Sequence, residues 1–426
     1  MNEHHTNRHD HSFNDRRAML AGIGGLAAGA LLTGSAKAGP LDPPPGPIVP
    51  TGKPLNELEP RIAINSTNTP GDATSVYRIS QPGSYYLTGN VTGAVGKDGI
   101  AIAASGVTLD LSGYALIGVP GSRVGIFAIE SVLTDITIHH GTVTQWGNDG
   151  INLNNFSALN CIIHRVYASR NTGDGIYSGR DSIVQLCGAS DNGESGIRAD
   201  GSNTISHCSV GNNALRGIFT LFGCTIANCT ATNNGDDGIS ASGGLIEACV
   251  ARSNTGDGIS TSGGVITNCH ADNNGNFGIR GGVFSSISGS NGYRNGASGI
   301  ICSQSIVSGC TASFNDSAGI FVQERSHVRN NICAKNASSG IHIDGPDNRI
   351  EGNHCVDSPI GMLVDSSSNV IFRNTCADNS VVNWSISPDN YYGPIINRSG
   401  INSAAVNGNF APSTLSSTDP HANFTY

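Results

Sequence analysis

Charged side chains are scarce in this sequence, and several of them stand at equivalent positions beside recurring Gly-Ile pairs. Asp149 and Asp174 each precede the glycine of successive pairs. Carboxylates on neighbouring copies of a repeat can share a Ca²⁺ ion, or one of them can keep its proton at a raised pKa. Arg198 and Arg216 follow in the next copies and can clamp the carboxylate of an acidic sugar. The sequence therefore predicts catalytic roles for these four residues, with the two aspartates as candidate Ca²⁺ ligands.

Polar and aromatic residues around these four predict a substrate-binding surface. A tyrosine at such a place can stack on a pyranose ring. The predicted binding residues are Asn152, Asn154, Tyr177, Asp200 and Phe219. The copies just before them are longer than the rest, and inserted residues form loops that can wall a groove.

A structural interpretation of the aspartates stays open. Asn-x-Gly-Asp-Gly is good turn chemistry, and an aspartate there can simply cap the turn. A second acidic cluster, Asp236, Asp237 and Asp257, has mainly serines near it in the repeat. The sequence predicts that this cluster lacks cations and aromatic rings, which makes it the poorer candidate site.

A repeat of 20 to 26 residues supplies the elements that must position these side chains. Its Gly-Ile pairs begin at Gly99, Gly125, Gly150, Gly175, Gly196, Gly217, Gly238, Gly258, Gly278, Gly299, Gly319 and Gly340, and Gly361-Met362 is a further copy. Four residues before nine consecutive glycines stand Asn171, Asn192, Asn213, Asn234, Asn254, Asn274, Asn295, Asn315 and Asn336. Five residues before most of these asparagines stand Cys187, Cys208, Cys229, Cys249, Cys269 and Cys310.

Each copy contains short alternating segments bounded by Asn and Gly turns, which are typical of strands and too short for helices. Cysteine and alanine alternate with polar residues, so they share the inward face of a strand. Stacked copies then form inward columns of Ile, Cys or Ala, and Asn, with asparagine amides bonding from copy to copy. The residue after each Ile is predicted to point outward.

This pattern resembles the right-handed parallel β-helix of the pectin-lyase-like superfamily over about residues 97–380. The resemblance implies an all-β solenoid of about thirteen rungs. Open solenoids need caps. Residues 61–96 are predicted to form a β-hairpin-like N-terminal cap, and residues 381–426 a C-terminal cover.

The same resemblance implies candidate activities. Lyases of this superfamily bind acidic polysaccharide, neutralise its carboxylate with Ca²⁺ or Arg, and abstract the C5 proton. The favoured prediction is therefore a lyase-like enzyme acting on acidic polysaccharide. The alternatives are a non-catalytic glycan-binding or structural rod, a uronan C5-epimerase and a glycoside hydrolase. The D-P-H-D motif associated with mannuronan epimerases occurs only as Asp419-Pro420-His421-Ala422, in the tail.

The N-terminal segment predicts export. Arg16-Arg17 precede an apolar run and Ala36-Lys37-Ala38, a pattern that resembles a twin-arginine signal over residues 1–38. Residues 39–60 are a predicted Pro-rich linker. The expected location is periplasmic or secreted, without a membrane segment after cleavage. A net charge of -9 disfavours nucleic-acid binding, and the oligomeric state is left open.

Cysteine and histidine receive structural interpretations. The regular spacing of the cysteine column predicts buried apolar fillers rather than disulfides or a metal relay, because an in-register stack fits disulfide torsions poorly. The pair His139-His140, His164 and the other histidines of the repeat are scattered over different copies. A solvent-facing role is predicted for each of them. The lack of a histidine cluster in the sequence argues against metal handling.

Overall fold

The computed structural model describes residues 59–154, 158–399 and 417–426. The predicted export signal and nearly all of the predicted linker lie outside these residues. The described residues form 45 strands and no helix. No helix long and apolar enough to cross a membrane occurs among them.

The chain winds as a parallel β-solenoid in which a typical coil contributes one strand to each of three faces. The front face is a sheet of 15 strands, each in parallel register with the next coil. These strands are β2 (Ser75–Ile79), β5 (Asp98–Ile102), β8 (Ile126–Ala128), β10 (Ile151–Asn152), β12 (Ile176–Ser178), β15 (Ile197–Asp200), β18 (Ile218–Leu221), β21 (Ile239–Ala241), β24 (Ile259–Thr261), β27 (Ile279–Gly281), β30 (Ile300–Cys302), β33 (Ile320–Val322), β36 (Ser339–Ile343), β39 (Ile360–Val364) and β42 (Val382–Ile386).

The remaining strands form the second and third faces. The second face contains β1 (Ile62–Ala63), β3 (Gly83–Tyr86), β6 (Val107–Asp110), β9 (Thr137–Thr144), β11 (Ile162–Ser169), β13 (Ile183–Gln185), β16 (Thr204–Ser206), β19 (Thr225–Ala227), β22 (Gly244–Glu247), β25 (Gly264–Thr267), β28 (Ser286–Ser288), β31 (Ile306–Ser308), β34 (His327–Arg329), β37 (Arg349–Glu351), β40 (Val370–Phe372) and β43 (Tyr391–Tyr392). The third face contains β4 (Val91–Thr92), β7 (Ala115–Ile117), β14 (Gly188–Ser190), β17 (Ser209–Gly211), β20 (Thr230–Thr232), β23 (Val250–Arg252), β26 (His270–Asp272), β29 (Asn291–Tyr293), β32 (Thr311–Ser313), β35 (Ile332–Ala334), β38 (His354–Val356), β41 (Thr375–Ala377), β44 (Ile395–Asn397) and β45 (Asn423–Thr425). The long strands β9 and β11 bend from the second face into the third.

The solenoid extends beyond the limits that the Gly-Ile pairs predict. Residues 61–96 do not form a β-hairpin, because β2 pairs in parallel with β5 and β3 pairs in parallel with β6. At the other end β42 pairs in parallel with β39, and Trp384 packs against the core. Alternation of inward and outward residues is enough to form these outer coils, so they need no Gly-Ile pair. Residues 400–416 of the predicted cover lie outside the described residues.

The Gly-Ile pair and the asparagine ladder depend on each other. Asn234 Nδ2 donates to Asn254 Oδ1 at 2.9 Å, and the same bond recurs from coil to coil. A Cβ at Gly238 would lie 2.5 Å from the Nδ2 atom of Asn254 and 2.7 Å from the carbonyl oxygen of Gly258. A glycine therefore stands at this position because the ladder amide of the next coil fills the space that a side chain would need.

Removal of one ladder amide should be costly. Asn234→Ala deletes the Oδ1 that accepts from Asn213 and the Nδ2 that donates to Asn254. Because buried partners stay unpaired, we expect a loss of about 2–4 kcal/mol in the free energy of unfolding, measured by denaturant titration. Exposed Asn233, with a φ of 55°, is the control; its change to Ala should cost only about 1 kcal/mol, the left-handed backbone preference. Equal losses in the two variants would contradict the ladder's role.

The cysteine column is a core filler, as predicted. All twelve cysteines are buried and free. Beyond Cys310 the same column continues as asparagine, because Asn331 Oδ1 accepts the amide of Cys310 and Asn331 Nδ2 donates to Asn353. Near the C-terminal end the interior thus carries a further amide ladder, which the nine-copy pattern did not predict.

Candidate functional site

The candidate site lies on the front face where four coils align their outward side chains. Asn152, Tyr177, Arg198 and Phe219 are register partners across β10, β12, β15 and β18. The isoleucine that precedes each of them is fully buried. The prediction that the residue after Ile points outward is confirmed here, and it brings these side chains into one column.

A hydrogen-bonded group flanks this column. Tyr177 Oη donates to Asp200 Oδ2 at 2.8 Å, and Asn154 Nδ2 reaches Tyr177 Oη at 2.7 Å and Asp200 Oδ2 at 2.6 Å. Asn154 Oδ1 and Asp200 Oδ1 are buried without a hydrogen-bond partner among the described residues. Burial and the bond to Asp200 raise the pKa of Tyr177, so the phenol stays protonated at neutral pH. This group holds unused acceptor atoms beside the aromatic ring.

The aspartates lie beneath this surface. Asp149 is 7% exposed and Asp174 is 2% exposed. Asp149 Oδ1 accepts the backbone N–H of Asp174 at 2.8 Å, and Asp174 Oδ1 accepts that of Ser195 at 2.8 Å. Asp98, Asp237 and Asp257 each make the equivalent bond to the next coil. One oxygen of every aspartate in this column therefore has a structural role, although the bond joins two coils and does not cap the aspartate's own turn.

The Oδ2 atoms of Asp149 and Asp174 have different surroundings. Asp149 Oδ2 accepts from Asn152 Nδ2 at 2.7 Å, whereas Asp174 Oδ2 lies 3.9 Å from Arg198 Nη1. Burial raises the pKa of Asp174 to about 7, and the negative charges of Asp149 and Glu194 add to the effect while Arg198 opposes it. Burial also raises the pKa of Asp149. A buried carboxyl that changes charge near neutral pH thus lies directly beneath an arginine.

Each of the two arginines stacks on an aromatic ring. The Cζ atom of Arg198 lies 4.5 Å from the ring centre of Tyr177, and that of Arg216 lies 4.6 Å from the ring centre of Phe219. Arg216 Nε lies 3.1 Å from Asp236 Oδ2. Among the described residues, Arg198 Nε is buried without a hydrogen-bond partner. Arg198 Nη1 approaches Asp174 Oδ2 only at 3.9 Å, which is beyond hydrogen-bond distance. Stacking orients both guanidinium groups and leaves donors available for an anionic ligand.

The donor set is a poor match for Ca²⁺. This ion takes about 6–8 oxygen ligands. The free oxygen of Asp149 already accepts an amide N–H, and that of Asp174 faces a guanidinium. The Ca²⁺ role of these two aspartates stays a prediction, and no step below depends on the ion.

The sequence matches the family described as right-handed beta helix region over residues 98–244 and 298–411, which is more than half of the chain. The chain belongs to this family. No curated protein matches this β-helix protein in sequence.

Several solved structures are similar to this β-helix protein at low sequence identity. The A-module of the mannuronan C-5 epimerase AlgE6 from Azotobacter vinelandii is 13% identical with a TM-score of 0.48, over 69% of this chain and 90% of that one. The periplasmic alginate epimerase AlgG is 12% identical with a TM-score of 0.36, over 71% and 81%. A capsular polysaccharide depolymerase tailspike from the Acinetobacter baumannii bacteriophage Fri1 is 11% identical with a TM-score of 0.38, over 63% and 53%.

The second acidic cluster of this β-helix protein does carry cations and aromatic rings, so the prediction that it lacks them is wrong. Arg280 Nε bonds to Asp257 Oδ2 at 2.5 Å, and the Cζ atom of Arg280 lies 4.6 Å from the ring centre of Phe277. Arg280 has the same register relation to Asp257 as Arg198 has to Asp174. The partners come from the next coil, which a scan along one copy overlooks. The Nε donor of Arg280 is occupied by Asp257, whereas Arg198 approaches Asp174 only at 3.9 Å. Arg280 is therefore less available to an anionic ligand than Arg198 is.

An open cleft of about 560 Å³ adjoins the first cluster. It is bordered by Arg123, Phe127 and Asn152, together with the loop residues Ser122, Val124, Gly147 and Asn148. These residues come from the longer early coils, on the N-terminal side of the site. A groove wall built by the inserted residues stays a prediction.

Proposed function

We propose that this β-helix protein binds an acidic polysaccharide across its front face and cleaves it by β-elimination. The observation that carries the proposal is the pair of guanidinium groups of Arg198 and Arg216, stacked on Tyr177 and Phe219. A planar guanidinium matches a sugar carboxylate with two parallel hydrogen bonds. Aromatic rings supply apolar area for a pyranose. The adjoining cleft gives the polymer a path along the coils.

The reaction follows from neutralising that carboxylate. Hydrogen bonds from arginine stabilise the negative charge that develops when the C5 proton of a uronate leaves. The C4–O bond then breaks, a C4–C5 double bond forms, and the departing oxygen takes a proton. The hydrogen-bonded pair Tyr177 and Asp200 stands beside Arg198 and can accept the first proton and return one to the oxygen.

In the proposed reaction, the buried aspartates position the side chains that contact the substrate. Asp174 lies beneath Arg198, and Asp149 fixes Asn152. A glycoside hydrolase needs two carboxyl groups that reach the scissile bond. The burial of Asp149 and Asp174 therefore favours β-elimination over hydrolysis.

A second candidate function is glycan binding without turnover, in a structural rod. It is favoured by the aspartates that precede the Gly-Ile pairs, since the same bond from an aspartate to the next coil also occurs at Asp98 and Asp257, away from Asp149 and Asp174. Under either function, the twin-arginine-like signal supports a periplasmic or secreted location for the protein and its polysaccharide.

Incubation with alginate, pectate and glycosaminoglycans tests the proposal. β-Elimination should give the ultraviolet absorbance of an unsaturated uronate together with shorter chains. An altered uronate composition at unchanged chain length would instead indicate an epimerase, and new reducing ends without unsaturation would indicate a hydrolase. Glycan-array binding with none of these products would establish the binding rod and overturn the enzymatic proposal.

A further inference from the structure

Histidines that are far apart in the sequence meet on the second face of the solenoid. Asp110 in β6, His139 in β9 and His164 in β11 are partners in one column of the parallel register. His140 follows at the corner of its coil, with a φ of 57°. The prediction that these histidines are scattered is wrong, because coils of 25 residues or more place them directly beside one another.

Three side chains of this group converge on one point. His139 Nδ1 lies 3.0 Å from His140 Nδ1, and Asp110 Oδ1 lies 3.4 Å from the first and 3.8 Å from the second. A tetrahedral Zn²⁺ with bonds of about 2.0–2.1 Å holds its ligand atoms about 3.3–3.4 Å apart. In the described part of the chain these three residues are the group of His, Cys, Asp or Glu side chains whose ligand atoms converge in this way.

We propose that Asp110, His139 and His140 bind a divalent transition-metal ion, Zn²⁺ or Cu²⁺, through Oδ1 and the two Nδ1 atoms. Imidazole nitrogen with one carboxylate suits both ions. Three protein ligands leave a fourth position for water. The ligands come from two successive coils, so the ion would tie them together near the N-terminal end of the solenoid.

The surroundings orient the ligands. Arg61 Nη1 donates to Asp110 Oδ2 at 2.8 Å, which turns Oδ1 toward the histidines. The ring of His164 stacks on that of His139 at a centroid distance of 5.1 Å and an angle of 18°. Hydrogen-bonded partners such as Arg61 fix the orientation of metal ligands in proteins.

Two neighbours oppose the ion. The backbone N–H of Ser112 donates to Asp110 Oδ1 at 2.8 Å, so the ion must share or displace this bond. Arg165 Nη1 lies 3.3 Å from His140 Nε2, and because arginine only donates, Nε2 must accept. Coordination through Nδ1 requires a proton on Nε2, so metal binding breaks this contact. Arg165→Gln removes the conflict and one positive charge, and should tighten metal binding by about three- to tenfold.

Calorimetric titration of the full chain with Zn²⁺ and Cu²⁺ tests the site. His4, His5, His9 and His11, which lie outside the described residues, are first changed to Ala so that they cannot contribute. We expect one ion per chain, tighter binding of Cu²⁺ than of Zn²⁺, and no binding of Ca²⁺. Zn²⁺ should also raise the unfolding temperature, because it binds the folded state.

Matched variants locate the binding. His139→Ala should weaken Zn²⁺ binding at least about 100-fold, because it removes a ligand rather than a supporting contact. His207→Ala is the control, because His207 occupies the equivalent corner three coils further on, with a φ of 54°; it should bind Zn²⁺ as the parent does. Failure of the parent to bind either ion would overturn the proposal, as would equal affinity in His139→Ala. Co²⁺ can replace Zn²⁺ as a spectroscopic probe. A thiolate-to-Co²⁺ absorption band would show that cysteines bind the ion, and would also overturn the proposal. If His139→Ala does not fold, Arg165→Gln gives the test instead. Zn²⁺ binding by Arg165→Gln that is weaker than, or equal to, that of the parent would overturn the proposal.

Discussion

The double change Arg198→Ala and Arg216→Ala should weaken binding of a polyuronate such as alginate or pectate by about 100- to 1000-fold. A hydrogen bond to a charged group contributes about 1.5–3 kcal/mol, and the change removes the two groups proposed to hold the sugar carboxylate. About 1.4 kcal/mol corresponds to a factor of ten in affinity. Calorimetry or affinity electrophoresis at low ionic strength measures the loss, and any turnover should fall with it.

Two further variants make this test specific. Arg280→Ala is the matched control, because Arg280 occupies the same outward column and stacks on Phe277 but is already bonded to Asp257. Its affinity for the polymer should stay at the wild-type value. Arg198→Lys keeps the charge but loses the planar fork, and should bind about tenfold more weakly. Wild-type affinity in the double variant would reject the front-face site, even if the protein bound polysaccharide elsewhere.

Asp174 should make the protein less stable as the pH rises. Burial raises the pKa of this carboxyl to about 7 in the folded state, whereas it is about 3.9 in an unfolded chain. Between these values the folded protein keeps a proton that the unfolded chain has lost. Stability therefore falls as the pH rises from about 4 to about 7 and is flat above that range, with a total change on the order of 4 kcal/mol.

Asp174→Asn tests this dependence because Asn keeps an oxygen to accept the Ser195 amide. Denaturant titrations at about pH 5 and about pH 8 should show a much smaller difference in the variant, which should also be more stable than the wild type at the higher pH. A residual slope of the same sign is expected from Asp149, whose pKa burial also raises. Exposed Asp191, changed to Asn, should leave the wild-type slope intact. Parallel slopes in the wild type and Asp174→Asn would show that Asp174 does not titrate in this range.

The outward column of the site could be predicted from the sequence because strand periodicity is strict. Once Ile176 and Ile197 are inward, Tyr177 and Arg198 must point outward and lie side by side. Burial could not be predicted in the same way. The residue before each glycine lies at a corner, where an aspartate can face solvent or fold back onto the next coil, and Asp174 does the latter.

Side-chain contacts between neighbouring coils also could not be predicted from the sequence. Arg280 reaches back to Asp257, and Asp110 meets His139 across a coil of unequal length. Pairing of that kind depends on the exact coil length, which varies at the N-terminal end of the solenoid. The outermost coils were missed because β2 and β42 replace the Gly-Ile pair by simple alternation.

The cysteine column has a consequence for how this protein can be handled. All twelve thiols are shielded in the finished solenoid, where oxidants have little access to them. An unfolded chain in an oxidising medium exposes all of them together, and random disulfides then block the in-register stacking on which refolding depends. Unfolding should therefore be reversible only with a reductant present. Without one, the lifetime of the native state, rather than its equilibrium stability, sets how long the protein lasts.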